Sequence, residues 1–251
     1  MKVRKILFSV CCLIGFFENR IYAQENGIIS NKKFDISVGY TPAIPISDFG
    51  SNNSSNPKAG FAKSGPGISL FLNKSITKKI QLTSGVLFNA FFVEENVLRQ
   101  IKLDNPNYSF ISNVSNWNLT NLFVGLNYHF IDKKMYNSNM IFYNRVLIGL
   151  AFVKPPIINS DGTNITTGSK LYYNQTADKS NSISFLFGFG IKYDSPKKTF
   201  FAIGFDLLYS HPQFNNVIIT TVNNNTLTTL TTTSSQNILA IPVSIIFGIK
   251  L

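Results

Sequence analysis

The stretch SFLFGFGIKY, residues 184–193, sets Phe185, Phe187, Phe189, Ile191 and Tyr193 on alternate positions, with glycine at 188 and 190 between them. Successive side chains of a strand point to opposite faces, so this segment reads as a strand with aromatics on one face and little beyond backbone on the other. A half-buried strand of a soluble protein instead pairs an apolar face with a polar one. The pattern asks for surroundings in which bulk and apolarity are wanted outside and little room is left inside.

The same pattern recurs along the chain. Eight segments alternate with period two, at about 33–41, 66–74, 79–92, 117–130, 140–153, 182–193, 199–210 and 237–250. The second, fourth and sixth connections between them are short and carry Lys78-Lys79, Lys133-Lys134 and Lys197-Lys198, whereas the other four are long and rich in Asn, Ser, Thr, Gly and Pro. Short turns on one side and long loops on the other, with both termini on the short side, are the connectivity of an outer-membrane barrel. Each segment also exceeds the roughly 9 residues that a tilted spanning strand needs, or comes close to it. The expected fold is all-β: an eight-stranded antiparallel up-and-down transmembrane β-barrel of the outer-membrane type, its short turns periplasmic and its long loops extracellular.

Aligning the strands by their bulky face places Gly39, Gly67, Gly85, Gly125, Gly149, Gly188, Gly190, Gly204 and Gly248 on the opposite face, with Ser37, Ser69, Thr83, Asn89, Asn121, Asn127, Ser184 and Ser244. The interior of an eight-stranded barrel is just wide enough to be filled by side chains, so small residues are expected inside and aromatics against hydrocarbon. Tyr40, Trp117, Tyr128, Phe130, Tyr193 and Tyr209 fall near strand ends, where an interfacial aromatic girdle is expected. A secreted lipocalin-like barrel would need a polar outer face, which several strands lack. Tandem β-sandwiches would turn every 8 to 12 residues or so, more often than this chain does.

The N-terminus, MKVRK followed by ILFSVCCLIGFF, combines a basic segment with an apolar run too short to span a bilayer, the form of an export signal. Residues 1–23, ending at Ala23 in IYAQ, are read as the signal peptide and residues 24–251 as the barrel domain. Cys11 and Cys12 leave with the signal, so neither a disulfide nor a cysteine metal site is expected. Loss of Lys2, Arg4, Lys5, Arg20 and Glu18 leaves 19 basic against 11 acidic side chains, a balance of +8. The lysines sit in separated turn pairs rather than in one patch interleaved with aromatics, which excludes nucleic acid as a partner.

The chain resembles the PorT-like group of outer-membrane β-barrel domain proteins. The resemblance rests on the YAQ-type signal end, the repeated apolar-Gly-apolar strands (VGY, VGL, IGL, FGFGI, IGF) and the terminal strand IPVSIIFGIKL, and it covers essentially the whole mature chain. It implies an eight-stranded outer-membrane protein and, through a few members, an accessory role in protein secretion. The last strand sets Val243, Ile245, Phe247, Ile249 and Leu251 toward lipid, similar to the C-terminal signal read by the barrel-assembly machinery, although it ends in Leu251 rather than an aromatic.

Catalytic chemistry finds little support. His211 follows Ser210, with Asp206 on the same strand face as Ser210, so an acyl-hydrolase-like site is conceivable, yet adjacent strand residues point apart. Glu94 and Glu95 read as solvated rim charges. No metal-ligand spacing or phosphate-binding loop is present, and no cofactor is expected. By parity Asp35, His129, Arg145, Lys192, Asp206 and Lys250 point into the lumen, where charge is costly unless paired. The expected pairs are Arg145 with Asp206 and Asp35 with Lys250, in a filled lumen rather than a narrow pore. Function is expected in the extracellular loops, as a surface that meets a protein partner or lipopolysaccharide, the competing class being a purely structural barrel with the loops as spacers; lipid and the assembly machinery are the remaining contacts. The runs flanking Asn223-Asn224-Asn225 in NVIITTVNNNTLTTLTTT are expected to form a hairpin above the membrane.

Overall fold

The computed structural model describes residues 34–251 other than 54, 55, 57, 136, 137, 224 and 225. The signal segment with Ala23, Cys11 and Cys12, and the turn residues Asn224 and Asn225, lie outside the described residues. The strands run in the order β1 (Phe34–Tyr40), β2 (Ala43–Pro45), β3 (Ala62–Lys63), β4 (Gly67–Ser75), β5 (Ile80–Val93), β6 (Tyr108–Val114), β7 (Trp117–Met135) and β8 (Ser138–Lys154). They continue with β9 (Ile158–Asn164), β10 (Lys170–Thr176), β11 (Ser180–Asp194), β12 (Thr199–Ser210), β13 (Gln213–Asn223), β14 (Thr226–Ser235) and β15 (Ile238–Lys250).

Eight of these close a barrel in the order β1, β4, β5, β7, β8, β11, β12, β15, with β15 returning antiparallel to β1. The seam is completed where the Leu251 amide donates to the Phe34 carbonyl at 2.8 Å. Closure satisfies every ladder without an open edge, which is what allows a sheet to cross hydrocarbon. The outward face is apolar, with Val38, Leu70, Val146, Phe187, Phe189 and Phe247 among the exposed side chains. This is an eight-stranded antiparallel up-and-down barrel of the outer-membrane type.

The eight strands coincide with the eight alternating segments to within a few residues, with one exception. The hairpin of β7 and β8 extends past the apolar belt as far as Met135 paired with Ser138, with a register shift between His129 and Ile131. Residues 131–135, IDKKM, hold three charged side chains in succession and break the hydrophobic alternation, so pairing there is visible only in the backbone ladder.

The long loops are folded. In the first, β2 continues the line of β1 beyond Pro42 and pairs with β15, while β3 pairs with β5. The other three contribute β6, β9 with β10, and β13 with β14, which join into one five-stranded sheet in the order β14, β13, β10, β9, β6. The expected hairpin of the last loop is present as β13 paired with β14, from Asn223 opposite Thr226 back to Gln213 opposite Ser235. The second and third loops, which carry no period-two alternation, supply the remaining three strands of the sheet.

Candidate functional site

The opening stretch finds its explanation in β11. Gly188 lies opposite Arg145 of β8 on one side and Asp206 of β12 on the other. All three face the lumen at one level, and Arg145 reaches across the glycine to form a bidentate pair with both carboxylate oxygens of Asp206. A Cβ at Gly188 would stand 1.8 Å from the Asp206 carboxylate. One row nearer the short turns, Gly190 lies between Tyr143 and Gly204, and a Cβ there would lie 2.5 Å from the Tyr143 ring. The bare face of FGFG is thus the space occupied by side chains of the two neighbouring strands. Gly39, Gly85, Gly125, Gly149 and Gly248 also approach inward neighbours too closely for a Cβ, and Gly204 lies under Tyr143.

A second charge cluster sits closer to the short turns. Asp35 stands opposite Lys250 in the register of the seam, the pairing expected from sequence, but their side chains engage other partners. Lys192 of β11 crosses to Asp35 at 2.6 Å, and Lys250 pairs with Asp194 at 2.5 Å. Lys192 and Asp194 are 3.6 Å apart, which links the four into one chain. Asp194 is the member the sequence reading missed, although it shares the parity of Lys192 and could have been found that way. With Arg145 and Asp206, the network holds three cations and three anions, so the low-dielectric lumen carries no net charge from it. Phe71 under the Arg145 guanidinium, at 5.0 Å, and Phe200 under the Lys192 ammonium, at 4.0 Å, add aromatic faces to two of the cations. His129 lines the same region, beside a cavity of about 30 Å³ bounded by Asn127, Tyr143, Arg145 and Lys192, a volume suited to one or two waters.

The other half of the lumen corrects the expectation that small residues alone face inward. Leu87, Phe91, Leu119, Phe123, Leu147, Leu186 and Leu208 are buried there as one apolar core. They share the parity of the inward glycines and asparagines, and the glycines supply the volume they occupy. Buried hydroxyls and amides of Asn121, Ser184, Ser210 and Ser244 also face this interior. Trp117, expected in the lipid-facing girdle, also points inward and is buried. It lies at a strand end, but on the same face as Leu119, Asn121 and Phe123. Tyr40, Tyr128, Phe130, Tyr193 and Tyr209 do face outward.

The first loop seals this core from the long-loop side. Phe49, on the short helix Ser47–Gly50, is fully buried with its ring edge-on to Phe91 at 5.0 Å and to Trp117 at 5.5 Å. The Trp117 indole N–H donates to the Gly60 carbonyl at 3.0 Å, and its other flank meets Phe214 of β13. The Asn89 amide donates to the Thr41 carbonyl and the Gln236 amide to that of Lys58, so polar groups of the loop backbone are held from the barrel wall. At the rim Lys63 pairs with Glu94 at 2.9 Å; the Glu95 side chain lies outside the described residues.

The imagined hydrolase triad is not assembled. Ser210 is buried on the lumen face, Asp206 is engaged by Arg145, and His211 is exposed with its Nδ1 2.7 Å from the Asn237 side-chain oxygen. Among the described residues no three His, Cys, Asp or Glu side chains converge as a metal site would require.

The five-stranded sheet above the barrel is the other candidate surface. Its centre is packed: Ile158 and Leu171 are buried, Ser112 and Ser160 share a hydrogen bond of 2.9 Å, and Tyr173 donates to Gln175 at 2.8 Å, where burial pushes its phenol above the ordinary tyrosine range. At one edge stands β14, TLTTLTTTSS, exposed along all ten residues. Leu227 and Leu230 are among its solvent-facing side chains.

Solved structures to which the chain is similar include Neisserial surface protein A (NspA), at 12% identity and a TM-score of 0.42, covering 88% of this chain and 98% of that one. Others are Ail, the attachment invasion locus protein of Yersinia pestis, at 9% identity and a TM-score of 0.42 over 88% and 100%, and the outer membrane protein OprG of Pseudomonas aeruginosa, at 12% and 0.43 over 88% and 96%. No family model and no curated protein sequence matches the chain.

Proposed function

We propose that this protein is a non-enzymatic, non-conducting barrel of the Gram-negative outer membrane that engages a protein partner through the edge of its extracellular sheet. The observation that carries the reading is β14. Natural edge strands are blunted by charge, proline, bulges or a covering element, because unpaired N–H and C=O groups invite another strand. β14 has ten residues, none of them charged, proline or glycine, and every one is exposed. A partner offering an extended segment would gain main-chain hydrogen bonds along it and side-chain contacts with Leu227 and Leu230. The sealed and charge-neutral lumen supports the non-conducting part of the reading, and the separation of Ser210 from His211 the non-enzymatic part. Outward Phe247, Ile249 and Leu251 suit the assembly machinery during insertion and the surrounding lipid afterwards. The PorT-like resemblance makes a component of a protein-secretion assembly the first partner to look for.

The test compares crosslinked cells carrying the native chain with cells carrying Thr228→Lys and Leu230→Lys, which place charge on the edge. A partner captured by the native chain and lost from the variant, at equal surface levels, supports the reading. The same set of captured proteins from both would leave the barrel as a structural element with no role for β14.

A further inference from the structure

On the outward face, at the short-turn end, the barrel bears a groove of about 700 Å³ that spans the β11, β12, β15, β1 and β4 strands. Tyr193, Phe201 and Phe247 stand along it as an aromatic wall, the last two with ring centroids 5.1 Å apart, and Ile36 and Val38 border it as shorter aliphatics. The floor of the hollow is the backbone of Ser37, Phe200 and Gly248, residues of the inward parity that send no side chain to this face. A volume of this size lies within the range of about 300 to 1,000 Å³ typical of small-ligand sites.

The groove has a polar end. Ser195 and Thr199 line it there, and between them the turn carries Lys197 and Lys198, both exposed and, among the described residues, without an acidic partner. Lys198 has φ of 61°, a conformation that glycine or asparagine adopts with less strain. The Lys250 amide donates to the Lys198 carbonyl at 2.7 Å, which fixes the turn against the last strand. An apolar groove that ends in two hydroxyls, beside a turn carrying two exposed lysines, is complementary to one class of molecule, an amphiphile with an anionic head and a hydrocarbon tail.

We propose that this groove is a specific binding site for one anionic phospholipid of the leaflet on the short-turn side, with an acyl chain between the aromatic wall and Ile36 and the phosphate at Lys197 and Lys198. Bulk lipid wets the rest of the outer belt without discrimination of head group. The site discriminates because head-group charge and chain burial are read together, at two ends of one groove.

The experiment reconstitutes the full barrel in mixed micelles with phosphatidylglycerol and phosphatidylcholine of identical chains and measures retained lipids by native mass spectrometry. One phosphatidylglycerol is expected to be retained in preference to phosphatidylcholine. Lys197→Ser with Lys198→Asn, which keeps a residue tolerant of positive φ, is expected to weaken that preference about thirtyfold, as loss of two cations near an anionic head, at about 1 kcal/mol each, predicts. Lys133→Ser with Lys134→Ser, near the tip of the β7–β8 hairpin, is expected to leave it unchanged. Val38→Trp, which fills the groove while keeping both lysines, is expected to abolish retention of either lipid, its folding being checked by the mobility shift of unheated protein on gels. Equal retention of the two lipids by the native protein, or equal losses from the two lysine pairs, would overturn the proposal.

Discussion

Arg145 and Asp206 belong to strands that are not neighbours, yet they pair side by side because the residue between them, Gly188, has no side chain. The pair is nearly inaccessible on both sides, at 5% and 1% side-chain exposure, so neither charge has water as an alternative partner. Removing one member leaves the other buried and uncompensated, at a cost of about 3 to 5 kcal/mol, while removing both costs less. Arg145→Ala, Asp206→Ala and the double variant, unfolded by denaturant in lipid vesicles, should therefore show strong coupling. Additive losses would mean that the two residues act independently.

Gly188→Ala should be among the most damaging single-methyl additions in the barrel, because the new Cβ meets the Asp206 carboxylate at 1.8 Å. The expected loss is about 1 to 3 kcal/mol from overpacking, with further loss from displacement of the ion pair. At Gly204 the nearest atom to an added Cβ is the Tyr143 hydroxyl at 3.1 Å, so Gly204→Ala should cost markedly less. Thermal unfolding of the two variants, followed by gel mobility, checks the order.

Trp117 is the chain's single tryptophan, so its fluorescence reports on the seal of the barrel. Held between Phe49 and Phe214, it should emit at short wavelength and resist quenching both by acrylamide and by brominated lipid. Phe49→Ala should remove about 3 to 5 kcal/mol of packing from the first loop, shift the emission to the red and open the indole to acrylamide. Strong quenching of the native protein by brominated lipid would place Trp117 in the girdle instead.

Purified native protein should give negligible ion current in planar bilayers, since the apolar core and the first loop close the lumen above the charge network. Deleting residues 44–60 removes Phe49 but leaves Leu119, Leu147, Leu186 and Leu208 in the lumen, so current should remain low. Steady open-channel currents from either protein would show an aqueous path.

Amide exchange should separate the extracellular sheet by position. β10 and β13, each paired on both sides, should exchange slowly, and β14, paired on one side only, should exchange on alternate residues. Uniformly fast exchange over residues 213–235 would show that the sheet does not persist in the membrane-bound protein.

How much of this was legible in the sequence follows from which interactions are local. Strand alternation is a local property with period two, so the eight barrel strands, their order along the chain and the outward face of Phe187, Phe189 and Phe247 could be read directly. Inward charges follow the same parity, and that is enough to name Arg145, Lys192, Asp206 and Lys250. What parity does not contain is the third dimension. Lys192 reaches Asp35 and leaves Lys250 to Asp194 because long side chains cross a curved interior, and no spacing rule encodes that crossing. Trp117 sits at a strand end, as a girdle residue would, yet shares the inward parity of Asn121 and Gly125; what the sequence does not show is that Phe49 and Gly60 of the first loop arrive to cover it. Likewise β6, β9 and β10 are polar segments without a clean alternation, and they become strands because loops distant in sequence supply their pairing edges. The sequence by itself determined the barrel, since each strand's amphipathic pattern suits only a closed sheet with an apolar exterior. The tertiary structure decided how the lumen is filled and how the loops are joined, because both depend on contacts between segments whose meeting is set by closure.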